Sequence, residues 1–319
     1  MKKFRNRLFV LLLLGGLVLS GCRGKETAGG GGDAAGNAPV PKTPDAGPGP
    51  DKIMVVCSFL PMWVFTRNVV GDREGVEVEV LIPGHQGPHD YALTPGDLKK
   101  INQAHLFLAN GLYLEEFLTD AVKKARPGLK IIEAAQAVEP ISADKEAGVN
   151  PHAFASPRDA AKMVRRIAGA LAGIDPEGAG TYKRNAEQYA ARLEALADEF
   201  RAAVRAAKNK KVVTFHNAFD YLARDSGLEI VGVVETVPGQ APSAGELAGL
   251  IKKIKEAEAA AIFSEPQFSP RLANVLSEET GIGMYALDPA ATGELEPGIY
   301  EEVMRQNLDT LKKALGPGG

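Results

Sequence analysis

Four residues spread over most of this chain are of the types that hold a divalent metal ion: His89 in GPHDYALTP, His152 in NPHAFASP, His216 in VVTFHNAF and Asp288 in YALDPAA. Each sits in a short loop beside an expected strand end or helix start. Three imidazoles and one carboxylate complete a tetrahedral set for a zinc-like cation. Taken singly, a histidine at a strand end also serves as a hydrogen-bonded cap, and Asp288 before Pro289 also fits a turn. His85 lies four residues before His89, but Pro83, Gly84, Gly87 and Pro88 argue against a helix there. It is therefore a neighbour at the mouth of the site and a second-choice ligand. His105 begins a strand at the opposite end and reads as structural.

The elements that must position these groups follow from periodicity. Residues 53–58 read as a buried strand and 76–82 as another, with a helix across PMWVFTRNVVGD between them. Thr94-Pro95-Gly96-Asp97 opens a helix, with Thr94 as N-cap and Pro95 in the first turn. HLFLAN, LEEFLTDAVKKA and LKII give strand, helix and strand, and Ser156-Pro157 starts a further helix. From about 178 to 207, Tyr182, Ala186, Tyr189, Leu193, Leu196, Phe200 and Val204 form one apolar stripe. A second α/β series runs from KVVTF to GMYAL and closes with a helix near 298–315. The expected fold class is α/β: two lobes, each a mostly parallel sheet flanked by helices, joined by one long rigid helix. The boundaries are 52–175 for the first lobe, 176–207 for the connecting helix and 208–319 for the second lobe. No internal sequence repeat is evident.

Ligands of open parallel sheets bind beyond the carboxyl ends of the strands. His216 follows VVTF, Glu265 follows AAIFS and Asp288 follows MYAL, so three metal-competent residues share one edge of the second sheet. His89 follows VEVEVLI and His152 precedes the Ser156-Pro157 helix, both in the first lobe. A cation would bridge the lobes. The long helix should resist a wide hinge, so closure is expected to be small.

The ends of the chain bear on where this happens. Lys2, Lys3, Arg5 and Arg7 precede an apolar run from Leu8 to Leu19, too short to span a bilayer. Leu19-Ser20-Gly21 then leads into Cys22 and resembles the bacterial lipobox. Residues 1–21 are expected to be a lipoprotein signal peptide, with Cys22 lipidated and 22–51 a flexible Gly/Pro/Ala tether. Losing the four basic residues takes the net charge from −3 to −7. An acidic chain without a basic run argues against nucleic acid. With Cys22 lipidated, Cys57 has no disulfide partner and reads as a buried thiol.

Across residues 52–315, the motifs GPHDYALTPGDLKKINQAHLFLANG, NPHAFASP, HNAFDYLAR, VPGQAPSAGELAGLIKKIKE and IFSEPQFSPRLANVLSEETG resemble, in this order, the zinc and manganese solute-binding proteins of ABC importers. The resemblance implies that His89, His152, His216 and Asp288 occupy metal-ligand positions. It also implies delivery to a membrane permease with its cytosolic ATPase, from a monomer anchored outside the cytoplasm through Cys22. Manganese-preferring members tend to carry Glu where His216 stands, so imidazole there favours Zn2+, with Mn2+ or Fe2+ as alternatives. Glu265 either fixes a histidine tautomer from behind the ligands, the preferred reading, or competes with Asp288 for the metal.

There are two departures from the family pattern. Residues 137–149 lack the histidine-rich loop of many zinc members, and Phe154-Ala155 replaces a Trp-Leu pair. The rival class is an extracytoplasmic zinc hydrolase, in which a water replaces Asp288 and Glu265 acts as base. The chain has neither HExxH nor GxSxG, and four protein ligands would close the shell, so no enzyme is expected. An adhesin or chelate receptor would need an aromatic or basic cleft, and Trp63 is the sole tryptophan.

Overall fold

Short runs of Val, Ile, Leu and Phe become two four-stranded parallel sheets. In the computed structural model, residues 52–89, 91–142, 148–235, 242–266 and 270–316 are described. The signal segment 1–21, Cys22 and the remainder of the 22–51 tether lie outside them. The first sheet holds β1 (Ile53–Cys57), β2 (Val76–Val80), β3 (Leu106–Ala109) and β4 (Lys130–Glu133). The second holds β5 (Lys211–Thr214), β6 (Glu229–Val233), β7 (Ala261–Ser264) and β8 (Met284–Ala286). Their orders are β2-β1-β3-β4 and β6-β5-β7-β8. The same winding is thus used twice, without the internal sequence repeat that would have announced it.

Each order reverses between its two central strands, and the crevice at such a reversal is where open α/β sheets bind ligands. In the second sheet that point lies between β5 and β7. His216 and Glu265 follow those two strands.

The first sheet is flanked by α1 (Leu60–Val70), α2 (Pro95–Gln103) and α3 (Glu116–Ala125). Thr94 caps α2 in a full capping box: its hydroxyl accepts from the Asp97 amide, and the Asp97 carboxylate accepts from the Thr94 amide. Next come α4 (Pro157–Ala172) and α5 (Ala179–Ala206), the 28-residue helix that the apolar stripe foretold. It runs roughly 40 Å at ~1.5 Å per residue. All seven stripe residues are buried. α6 (Asp220–Ser226), α7 (Ala244–Ala257) and α8 (Pro270–Thr280) accompany the second sheet, and α9 (Ile299–Leu315) ends the described chain.

Several expected boundaries shift. Ser58, Ile82 and Asn110 fall just past their strands, although the Leu81 and Ile82 amides still bond to the Cys57 and Ser58 carbonyls. A 3-10 turn over Asn217–Phe219 precedes α6, and another over Pro176–Gly178 precedes α5. α9 follows the second sheet in sequence yet packs on α5 and reaches α1. Its Tyr300 hydroxyl donates to the Phe154 carbonyl at 2.7 Å.

The α5 stripe packs within a single apolar cluster that takes in Val55 and Phe107 of the first sheet and Phe263 of the second. A smaller cluster around Val213, Phe215, Ile262 and Leu276 covers the other face of the second sheet. Polar ties add to this. The Asn68 amide donates to the Pro297 carbonyl, Ser156 to Asp225, and Arg224 to the Glu139 carbonyl and the Asp159 carboxylate. Cys57 is buried as expected, its thiol pushed up to about 12 by burial. No helix among the described residues is long and apolar enough to cross a membrane.

Candidate metal centre

His89, His152 and His216 meet between the two sheets. One ring nitrogen from each lies within 4.8 Å of the others. The His89 and His152 Nε2 atoms are 3.3 Å apart. A tetrahedral ion bound at about 2.0–2.1 Å separates its ligand nitrogens by about 3.3 Å. The His152 and His216 rings are closest, with centroids 4.6 Å apart and planes at 87°. His152 and His216 are buried, whereas His89 is exposed at the rim.

Local structure aims each ring. The Pro/Gly-rich segment after β2 cannot continue as a strand, so it turns outward and carries His89 to the rim. His152 precedes a 3-10 turn over Ala153–Ala155, and Ser156 then caps α4. Phe154, where the family pattern would carry tryptophan, is fully buried edge-on against Phe59 at 5.1 Å and backs the His152 ring at 5.9 Å. His216 is extended (φ −134°, ψ 160°) as the chain leaves β5 for the Asn217–Phe219 turn.

The carboxylates stand behind and beside this group. Glu265 is buried, and its Oε1 lies 3.6 Å from His216 Nδ1. Asp288 lies outside the three-nitrogen group, at the end of β8. Its Oδ1 accepts from the Ala290 amide, and Asn307 holds its backbone on both sides. Burial, assisted by the neighbouring Glu265 carboxylate, raises the Asp288 carboxyl above its ordinary value.

The remaining candidates fall elsewhere. His85 is exposed and outside the group. His105 Nδ1 accepts from the Met54 amide at 3.0 Å, a structural bond as expected. Sequence reasoning passed over Asn150, whose Oδ1 lies 2.9 Å from His152 Nδ1. Its only signal was a polar side chain two residues before a candidate ligand.

The His152 imidazolium is disfavoured, first by burial and then by His216 and His89, so its pKa falls well below 6.5. In the folded, metal-free protein this ring stays neutral while the unfolded chain takes up a proton below about 6.5. Stability therefore falls as pH drops below that value, by up to ~1.4 kcal/mol per pH unit from this one group, until the folded-state pKa is reached. With chelator present, the urea midpoint should fall further between pH 7 and 5 in wild type than in His152→Gln. Equal drops would show that His152 does not carry this linkage.

Comparisons with known proteins converge on a single family. The family model described as zinc-uptake complex component A, periplasmic, matches residues 55–314. The high-affinity zinc uptake system protein ZnuA of Bacillus subtilis is 32% identical over 283 residues, covering 83% of this chain and 88% of that protein. The zinc-binding lipoprotein AdcA of Streptococcus pneumoniae is 32% identical over 288 residues, 84% of this chain, which spans only 57% of AdcA's length. The solute-binding protein FpvC of Pseudomonas aeruginosa, solved in complex with Mn2+, superposes with a TM-score of 0.76 at 34% identity. That match covers 84% of this chain and 100% of FpvC. A structure of FpvC with Ni2+ gives the same TM-score of 0.76.

Proposed function

Because the chain belongs to the zinc-uptake complex component A family, we propose that it captures a zinc ion outside the cytoplasm and hands it to an ABC importer. The observation that carries this reading is the meeting of three ring nitrogens within 4.8 Å between two sheets. His89, His152 and His216 are the imidazole ligands in this proposal, and Asp288 is the fourth ligand, reached by a small movement of its loop. Glu265 stands behind His216 as the group that fixes its tautomer. No reaction is catalysed; the ligands enclose the ion and release it when the lobes part.

The lobes are proposed as 52–175 and 208–319, with 176–207 between them. Continuous packing along α5 and the polar ties at Asn68, Ser156, Tyr300 and Arg224 support a small closure. Lipidation of Cys22 would tether the monomer at the membrane, beside the permease and its ATPase. AdcA, a relative named as a lipoprotein, supports that anchor.

Manganese is the serious competitor, since FpvC was solved with Mn2+. Imidazole-rich sites bind manganese most weakly among the divalent first-row metals. Competitive titration of the metal-stripped protein should show one zinc per chain, undisturbed by excess manganese. His216→Glu should narrow that preference. Comparable binding of the two metals by wild type would sink the zinc assignment.

A further inference from the structure

Asn150 is fully buried, and every polar group it owns is engaged. Its amide nitrogen donates to the Ile141 carbonyl at 2.9 Å, and its carbonyl accepts from the Tyr221 hydroxyl at 2.7 Å. Side-chain Oδ1 accepts from the His152 backbone N–H at 2.9 Å and faces His152 Nδ1 at 2.9 Å. Nδ2 donates to the Asn217 carbonyl at 2.7 Å and to Asp220 Oδ2 at 2.8 Å. That exhausts the two acceptor and two donor sites of a primary amide.

This arrangement admits one orientation of the amide. A backbone N–H can only donate, so the atom facing the His152 amide is oxygen. A carbonyl can only accept, so the atom facing Asn217 is the NH2 group. Amide flips and histidine tautomers are normally matters of assignment; here the fixed backbone partners decide both. Since Oδ1 only accepts, His152 Nδ1 must carry the proton, and its Nε2 presents a lone pair towards His89 Nε2, 3.3 Å away.

We propose that Asn150 is the positioning residue of the centre: one buried amide fixes the His152 tautomer and ties that ring to the loop carrying His216. The inference rests on the zinc-receptor reading above. Asn217 directly follows His216, so the two arms of the amide hold the two buried imidazoles at a set spacing before metal arrives. Aspartate could serve His152 but could not donate to the Asn217 carbonyl, and alanine could do neither. α6 reinforces the arrangement through Asp220 and Tyr221, whose hydroxyl also accepts from the Ile141 amide at 3.1 Å.

The test pairs ring-nitrogen NMR of the metal-free protein with zinc titration against a chromophoric chelator. Wild type should show His152 protonated at Nδ1 alone. Asn150→Ala should lose that single tautomer, and its zinc affinity should fall ~10–100-fold, as when an outer partner of a ligating histidine is removed. Asn150→Asp should keep the tautomer yet still lose affinity, because the Asn217 tie is gone. A residue needed only for folding would lower the melting temperature and leave the affinity of the folded molecules unchanged. Wild-type His152 protonated at Nε2 overturns the inference, as does Asn150→Ala binding zinc within twofold of wild type. If Asn150→Ala does not fold, the wild-type tautomer decides. Zinc bound equally by wild type and His152→Ala would overturn the receptor reading itself. Zinc lost by His152→Ala but kept by Asn150→Ala would overturn the positioning role alone.

Discussion

His152→Ala should weaken zinc binding by more than the ~10–100-fold that loss of an outer partner costs. His152 is one of three ring nitrogens in the group, and it is both buried and neutral. Its Nε2 is the atom nearest His89, and its ring lies closer to His216 than His89 does. Removing it leaves two imidazoles and, in the proposed set, Asp288, so one position of the tetrahedral shell opens to water.

The effect is measurable as heat stability. A ligand at ~1,000 times its dissociation constant stabilises the folded state by ~4 kcal/mol. At ~2 °C per kcal/mol for a chain of this size, saturating zinc should raise the wild-type melting temperature by about 8 °C. With binding more than ~100-fold weaker, the variant should keep less than about 3 °C of that rise. Its metal-free melting point should move far less, because the Phe154 packing and the Asn150 ties to Asn217, Asp220 and Tyr221 remain. Calorimetry with and without zinc separates the two terms, and a full zinc-induced rise in the variant would remove His152 from the centre.

The three histidines could be picked out from the chain because each follows or precedes an element with a clear period: β2 for His89, α4 for His152, β5 for His216. α5 could be read for the same reason, since its seven buried stripe residues recur every three or four positions. What could not be read depends on contacts distant in sequence. Asp220 and Tyr221 on α6 meet Asn150 across about 70 positions, and nothing in the local pattern of either segment encodes the meeting. The order β2-β1-β3-β4 likewise depends on how the crossovers wind, which alternating strands and helices leave open. Asp288 shows the limit in another way. Its place at the end of β8 was plain, but the Ala290 amide that turns its carboxylate lies in a bend with positive φ. Such bends are weakly specified by residue type when glycine is absent.

Gly84→Ala should lower zinc affinity ~10–100-fold, although residue 84 is no ligand. Gly84 stands in the loop that leads to His89, and Gly293 stands in the loop that follows Asp288. The Gly293 amide donates to the Gly84 carbonyl at 2.8 Å, so the two loops touch backbone to backbone. A Cβ at residue 84 would lie 2.3 Å from the Gly293 carbonyl oxygen. That oxygen belongs to the main chain and cannot swing aside like a side-chain tip. Gly293 itself has φ +154°, and a Cβ built there would already meet Leu60 at 3.3 Å and Ile299 at 3.4 Å, so the space on that side is taken. The His89 loop must therefore move outward. Metal–ligand distances tolerate only about ±0.2 Å, so even a modest shift breaks the geometry.

Gly87 supplies the control, since it lies in the same loop with nothing within 4 Å of its would-be Cβ. Gly87→Ala should bind zinc like wild type, and both variants should unfold near the wild-type temperature when metal-free. Equal zinc affinity for Gly84→Ala and Gly87→Ala would mean that the backbone contact between the loops does not set where His89 stands.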